Sequence, residues 1–437
     1  MVWPPIEHPF TSRCLLRRLT ALLLCIPIVT AVVFAQAPPA NGPDNLPPQN
    51  IPVLTLPDCL AIGRSQQPAI QAAQQSLGAA QMAQRGLNEI KFGTRTFAKS
   101  VPVRRQQAAW GVNAAAANLY QVQADMDCAV SRMYFSVLYA REQTLLIDDI
   151  VRQLTATANT GESLLGKEGA PPDLNPVSLA KARLFLSLAK TKQAEAHKGS
   201  QLAMDGLREA MGIGPDCAFE VAADKLPEPL RGVKKDLIVC LAVSRRGEVI
   251  QADSAANITN LEIKAQSLTR VAKGHTSAAG GDFHAKPVPT GSFGDEYKPG
   301  AIGLDFPTLF VGPKETRMER AAYVNGRAGA VAEKTRNLVA LEAAAAFLKW
   351  EEAITKMDET KPAAEDGDKI LVKLKAALEG NVLQSYKDYL EMVVVVGQVK
   401  GQYNEARYNH AVALTEFERV TAGGFPAGIT VFPTTQP

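Results

Sequence analysis

Concentrated charge of one sign is missing from this sequence. The chain has 47 lysine and arginine residues against 44 aspartate and glutamate residues, a formal net charge of +3. Three arginines and one glutamate before position 20 account for +2 of that excess: Arg13, Arg17, Arg18 and Glu7. Nucleic-acid binding needs a concentrated basic face, so we expect no nucleic-acid partner.

Motifs of catalysis and metal binding are also missing. The sequence contains no glycine-rich phosphate loop, no G-x-S-x-G and no H-E-x-x-H. None of its five histidines stands four residues from another or beside a cysteine pair, as metal ligands commonly do. We therefore expect no enzymatic activity, no cofactor and no metal.

Cysteines are few, and only Cys59, Cys128, Cys217 and Cys240 lie beyond the N-terminal leader described below. Three pairings of these four residues are open. Because Cys217 and Cys240 flank one irregular segment, we predict a disulfide between them. The alternative is that these residues pack as small apolar side chains.

Aromatic residues make up only 6% of the chain, whereas alanine is the most common residue type. This composition favours closely packed helices over a bulky globular core.

The N-terminus has the features of a secretory signal peptide. A basic stretch at 13–18 leads into an apolar run at 19–34 and then to Ala35 and Ala37. The alternative is a membrane anchor, but the run has about 16 residues where a spanning helix needs about 20. We predict a signal peptide at 1–35, a proline-rich linker at 36–53 and export to the cell envelope.

The rest of the chain contains an internal repeat. The stretch from Cys59 to Arg64 recurs from Cys240 to Arg245 at an offset of 181, and Ile70 recurs as Ile250 at an offset of 180. We predict a first repeat at 54–226, a second at 236–424 and a tail at 425–437. In each repeat a short helix and an irregular segment lead to an entrance proline, Pro102 or Pro307, and then to two long helices joined by a turn.

Breaking residues indicate where the long helices end. We predict incoming helices from Arg105 to Gly169 and from Glu315 to Gly380, and outgoing helices at about 177–212 and 381–423. The first carries a coiled-coil seam with a period near 3.5, formed by Leu119, Val122, Met126, Ala129, Met133, Val137 and Ala140. His410 lies on an apolar stripe of the last helix, which predicts a packed histidine. Pro362 and Gly367 predict a kink or break in the second incoming helix.

Short sequence elements in both halves are similar to those of one known family. The first half opens with Leu54-Thr55-Leu56 and Gln67-Pro68-Ala69-Ile70, and later has Val101-Pro102-Val103 and Ala140-Arg141-Glu142. The second half has Gly303 to Gly312, then Tyr408-Asn409 and Phe417-Glu418 before Gly423. In this order, from Leu54 to Gly423, they resemble the TolC-like outer membrane efflux protein family.

The resemblance implies a homotrimer. Each chain would give long helices to a hollow α-barrel across the periplasm and four strands to a shared barrel in the outer membrane. The helix tips would contact a periplasmic adaptor of an inner-membrane pump. Candidate tip residues are Lys167, Glu168, Gly169, Asp173, Glu379, Gly380 and Asn381; the alternative is that these turns are simply solvated.

The segments expected to supply the membrane strands are poor in strand features. A spanning hairpin needs at least about 20 residues, but only 13 separate Ile90 from Arg104. The segment at 271–305 is longer but rich in glycine and proline. We therefore predict a mainly α fold of long antiparallel coiled-coil helices in two repeats, with a reduced or absent β-barrel portion.

The predicted function is a passive efflux or secretion duct in the outer membrane. The alternative is a secreted periplasmic helical scaffold of the same family that has lost the membrane pore.

Overall fold

The computed structural model describes residues 51–90, 99–167, 170, 172–222, 225–269, 312–379, 385–425 and 427–428. The predicted signal peptide, most of the linker, Pro307 and the segment at 271–305 lie outside these residues.

The described helices form two sets of four. The first set is α1 Leu56–Gln66, α2 Pro68–Glu89, α3 Val101–Leu164 and α4 Pro176–Met211, with 11, 22, 64 and 36 residues. The second set is α5 Lys235–Arg245, α6 Gly247–Leu268, α7 Lys314–Glu379 and α8 Ser385–Val420, with 11, 22, 66 and 36 residues. The near-identical lengths confirm two structural repeats. At 1.5 Å per residue, α3 and α7 are each roughly 95 to 100 Å long.

The register of the repeat differs from the one that the sequence indicates. The starts of α1 and α5, and likewise those of α2 and α6, are related by an offset of 179, not 181 or 180. In this register Cys59 corresponds to Ile238, and both are fully buried. The sequence match paired Cys59 with Cys240, which is exposed. The sequence match of 59–64 with 240–245 was based on identical residues, whereas the structural register is the one that aligns buried positions.

The four long helices begin and end within five residues of their predicted bounds. Pro102 is the second residue of α3, where a missing backbone N–H costs little. Residues 101–104, predicted to be part of the first membrane segment, belong to α3. Only 11 residues, 90–100, therefore connect α2 to α3.

We predicted a kink or a break in α7, and the break is wrong, because the helix runs through Pro362. Pro362 is exposed, so its ring faces solvent and the flanking turns are held by packing. Gly367 has a packing role, since a Cβ there would lie 2.7 Å from Cγ2 of Val396 in α8.

The long helices form four columns side by side. Column 1 is α2 followed end to end by α4, column 2 is α3, column 3 is α6 followed by α8, and column 4 is α7. The helix α3 contacts both members of column 1 and both members of column 3, and α7 contacts both members of column 3. The inner columns, 2 and 3, therefore have neighbours on both sides.

Two contacts join α4 to α2 at the middle of column 1. Gly212 has φ +72, and a Cβ there would lie 2.8 Å from Cα of Gln67, so a glycine is required. The side-chain Nε2 of Gln67 donates to the carbonyls of Glu209 and Ala210, which satisfies the C-terminus of α4. Nearby, β1 Val53–Leu54 pairs in parallel with β2 Glu220–Val221.

The predicted seam of α3 accounts for only part of its buried surface. Met126 and Val137 are buried, but Ala129 is exposed. Ala124, Cys128 and other residues off the seam are also buried. A helix with neighbours on two sides buries more than one stripe.

His410 is a packed residue, as predicted. It is fully buried, and its Nε2 accepts a hydrogen bond of 3.2 Å from the backbone N–H of Leu230. Burial lowers the pKa of His410 to about 4.

The predicted disulfide is wrong, because Cys217 and Cys240 are both free thiols. Cys217 follows α4, where its carbonyl accepts from Nε of Arg208. Cys240 is in α5, which belongs to the other repeat and contacts α7. Cys59 and Cys128 are buried, as the packing alternative expects.

No helix in the described part of the chain has the combination of length and apolar character needed to cross a membrane.

Candidate functional site at the helix tips

The turn between α3 and α4 is the better described of the two predicted tips. Gly166 has φ +79, a conformation that favours glycine, and it follows the last turn of α3. The side-chain Oδ1 of Asn175 accepts from the backbone N–H groups of Val177 and Ser178, each at 2.9 Å. Pro176 then begins α4. The turn is thus fixed by its own caps on both sides.

Asp173 links this turn to the other repeat. Its Oδ2 accepts a hydrogen bond of 2.7 Å from the backbone N–H of Lys387, in the first turn of α8. A carboxylate at this position satisfies an unpaired donor and interacts favourably with the helix dipole. Asp173 therefore caps a helix that belongs to the second repeat.

Tyr386 makes the next contact between the two tips. It is fully buried, and its hydroxyl donates to the carbonyl of Thr157 in α3 at 3.2 Å. Burial, and then the charges of Asp173 and Glu162, raise the pKa of Tyr386. A Cβ on Gly161 would lie 2.5 Å from the Tyr386 hydroxyl oxygen, so the glycine makes room for the tyrosine.

Two ion pairs lie near these contacts, one between the repeats and one within the first repeat. Lys181 of α4 lies 2.6 Å from Glu391 of α8 and lowers the pKa of that carboxyl. Arg183 lies 2.7 Å from Glu162 of α3. Both pairs are partly exposed, so each adds little stability by itself.

The predicted tip residues separate into four groups. Lys167 is exposed on the turn, where it can meet a partner. Asp173 bonds to α8 of its own chain, as described above. Glu379 is the last residue of α7, and the remaining four, Glu168, Gly169, Gly380 and Asn381, lie outside the described residues.

A buried ionic cluster at the middle of the columns was not predicted from the sequence. Arg246, between α5 and α6, is fully buried and pairs with Glu248 at 2.6 Å and with Glu342 of α7 at 2.9 Å. Arg419 of α8 contacts Glu342 as well, and lies 3.4 Å from Asp125 of α3. The cluster therefore holds α3, α6, α7 and α8 together at one level.

The first repeat has a simpler ion pair near that level. Asp127 of α3 is buried and accepts from Nε and Nη2 of Arg64 in α1, at 3.0 and 2.7 Å. Burial raises the pKa of Asp127, and the bond to Arg64 opposes this rise. The sequence feature that could have indicated this ion pair is a carboxylate among the apolar residues of α3.

Among the described residues, no three histidine, cysteine, aspartate or glutamate side chains lie close enough to hold a metal ion.

Comparison with known proteins gives a match at the level of structure. No family model matches the sequence, and no curated protein matches it. The MtrE outer membrane channel of Neisseria gonorrhoeae, in its open state, superposes with a TM-score of 0.63 over 84% of this chain and 89% of that chain, at 14% identity. The chain has the fold of an outer membrane channel.

Two further structures have the same fold. A membrane protein of Pseudomonas aeruginosa gives a TM-score of 0.64 at 13% identity, over 86% of this chain and 93% of that chain. The outer membrane protein VceC of Vibrio cholerae gives 0.62 at 14% identity, over 85% and 96%. The fold predicted from the TolC-like resemblance is confirmed.

Proposed function

We propose that this chain is one subunit of a passive efflux or secretion duct in the outer membrane, facing the periplasm. The observation that supports it most directly is the match to an outer membrane channel over 84% of the chain, together with the predicted signal peptide. The subunit performs no catalysis; its helices form the wall of a conduit.

The partners of such a duct follow from the same resemblance. A homotrimer would form the conduit, and an inner-membrane pump would connect to it through a periplasmic adaptor at the tips. Among the described tip residues, Lys167 is the candidate for contact with the adaptor, because Asp173 already bonds to α8.

A secreted helical scaffold of the same fold is the second candidate. It is favoured by the connection from α2 to α3, which has 11 residues where two membrane-spanning strands need about 20.

Two measurements decide between the duct and the scaffold. The purified oligomer, added to a planar lipid bilayer, should give discrete conductance steps, and the same sample dissociated by heat should give none. On cell fractionation the duct should remain with outer-membrane vesicles. Release with the soluble periplasmic contents, together with a silent bilayer, would establish the scaffold instead.

A further inference from the structure

Residues 225–234, the inter-repeat segment, connect β2 of the first repeat to α5 of the second. Pro227 and Pro229 in this segment carry no backbone N–H. Within the described part of the chain, the backbone of 225–233 makes no hydrogen bond to other backbone groups. The position of the inter-repeat segment therefore depends on individual side-chain contacts.

The strongest of these contacts meet at Leu230. Its backbone N–H donates to Nε2 of His410 in α8, and its carbonyl accepts from Nε1 of Trp350 in α7, each at 3.2 Å. The next residue, Arg231, donates to both carboxylate oxygens of Asp358 in α7. This last pair is exposed, so it adds little stability by itself. Leu230 is thus the point at which the inter-repeat segment is bound to both long helices of the second repeat.

Apolar side chains place the inter-repeat segment across two cores. Leu226 is buried in the core that contains Tyr134 of α3. Leu230 and Val233 pack against the core that contains Trp350. The segment therefore crosses from the core of the first repeat to that of the second, and Leu230 lies at the crossing.

His410 can hold Leu230 only while its ring is neutral. The side chain is fully buried, and Nε2 must lack a proton in order to accept from the Leu230 N–H. The proton of the neutral ring is therefore on Nδ1, which is buried and has no hydrogen-bond partner among the described residues. A second proton would lie on Nε2 and face the N–H of Leu230, donor against donor. It would also place a charge in an apolar core, which is costly.

The charged side chains on the elements around His410 are already paired with one another. They lie on the inter-repeat segment, α3, α7 and α8, and form the pairs Arg231 with Asp358, Arg407 with Glu142, and Lys356 with Glu352. Arg231 is positive and therefore opposes the protonation of His410. A protonated His410 is thus better accommodated when the inter-repeat segment has moved away and water can reach the ring.

We propose that His410 and Leu230 form a pH-sensitive latch on the inter-repeat segment, closed while the imidazole is neutral and opened by its protonation. Opening would release 226–233 from α7 and α8 while the long helices stay packed. Acidification of the envelope would thus loosen the connection between the two repeats. Every contact of the latch lies within one chain, so this proposal does not depend on the proposed duct.

The pH range of opening follows from the titration of His410. Burial lowers the pKa of His410 to about 4 in the closed latch, against 6.5 for an exposed imidazole. The open state therefore binds the proton more strongly, and opening becomes easier as the pH falls from 6.5 to about 4. The ratio of open to closed latch should rise roughly 100-fold between neutral pH and the lower end of this range. Asp358 stays charged throughout, because its hydrogen bonds with Arg231 lower its pKa.

Hydrogen–deuterium exchange of the full-length chain tests the latch. Exchange is measured at neutral pH and at about pH 4, and is corrected for the intrinsic pH dependence of amide exchange. Peptides covering 226–233 should lose protection at the acidic pH, whereas peptides from α7 and α8 should keep theirs. Unchanged protection of 226–233 would overturn the latch, and so would a simultaneous loss throughout α8, which indicates global unfolding.

His410→Gln separates titration from the hydrogen bond. Glutamine presents an acceptor at the position of Nε2 but does not titrate, so 226–233 should stay protected at both pH values. The matched control is His197→Gln, an exposed histidine of α4 near Asp148, which should lose protection as the wild type does. Equal acid sensitivity of 226–233 in His410→Gln and in the wild type would contradict the assignment of the latch to His410.

Trp350→Phe is a second variant, which leaves His410 in place. It removes the bond to the Leu230 carbonyl without changing a titrating group. Protection of 226–233 should therefore be lower than in the wild type at neutral pH, and it should fall further on acidification. Exchange of 226–233 that does not depend on pH in this variant would count against the latch even if His410→Gln does not fold.

Discussion

At the residue scale, the tips depend on a few close contacts that no local pattern could predict. Asp173 lies in a turn rich in glycine and proline. From this position we predicted that its carboxylate is either solvated or in contact with a partner protein. Its actual partner is the backbone of Lys387, 214 residues away. Lys167 is exposed on the same turn, and its contact with a partner stays a prediction.

Gly161 provides a direct test of these contacts. Alanine usually stabilises a helix by about 1 kcal/mol relative to glycine, but overpacking costs about 1 to 3 kcal/mol, and a Cβ here would lie 2.5 Å from the Tyr386 hydroxyl. We expect Gly161→Ala to lower the free energy of unfolding, measured in urea, by up to about 2 kcal/mol, because the overpacking cost exceeds the helix-propensity gain. Adding Tyr386→Phe should recover part of the loss.

The control for Gly161→Ala is Gly199→Ala in α4. A Cβ at Gly199 has nothing within 4 Å, so this variant should be more stable than the wild type. Equal effects of the two substitutions would mean that Tyr386 moves aside freely.

At the element scale, the lengths of the long helices were predictable, whereas their register and internal breaks were not. Glycine and proline clusters end α3 and α4 near their predicted bounds, since they act locally. The repeat offset was wrong because residue identity at Cys240 did not reflect its exposure. The break at Pro362 was wrong because packing along a helix of 66 residues outweighs one missing hydrogen bond.

Pro362 should therefore be a point of reduced stability within α7. Proline in a helix interior costs roughly 3 kcal/mol, and this residue is exposed. We expect Pro362→Ala to raise the free energy of unfolding by about 1 to 3 kcal/mol, measured by thermal or urea unfolding. Pro102→Ala, in the first turn of α3, should change it little. No gain from Pro362→Ala would indicate that the local backbone is shaped for proline.

At the scale of the whole molecule, the two repeats use different chemistry at the same level. Gln67 and Arg246 occupy equivalent positions between the short helices, with φ of −64 and −65. Gln67 caps α4, whereas Arg246 anchors an ionic cluster with members on α3, α6, α7 and α8. Sequence could not predict this cluster, because its members come together only when columns 2, 3 and 4 have assembled.

Removing one partner of this cluster should be costly. Glu342 pairs with both Arg246 and Arg419, and breaking a buried ion pair typically costs about 3 to 5 kcal/mol. We expect Glu342→Gln to lower the free energy of unfolding by roughly that amount. Asp358→Asn, which breaks the exposed pair with Arg231, should cost less than about 1 kcal/mol. Similar losses in the two variants would mean that water reaches the cluster.

The end-to-end contact of α4 with α2 has a mechanical consequence. At this level columns 1 and 3 are interrupted, at Gln67 and at Arg246, whereas α3 and α7 pass through without a break. A bending load on the long body would therefore concentrate strain at its middle. There α3 and α7 run continuously past the two junctions at which the helices of columns 1 and 3 meet end to end. The buried charges around Arg246 stabilise the junction in column 3. The junction in column 1 depends on the hydrogen bonds of Gln67 and on the close packing of Gly212. The body is thus expected to flex more easily in its first repeat than in its second.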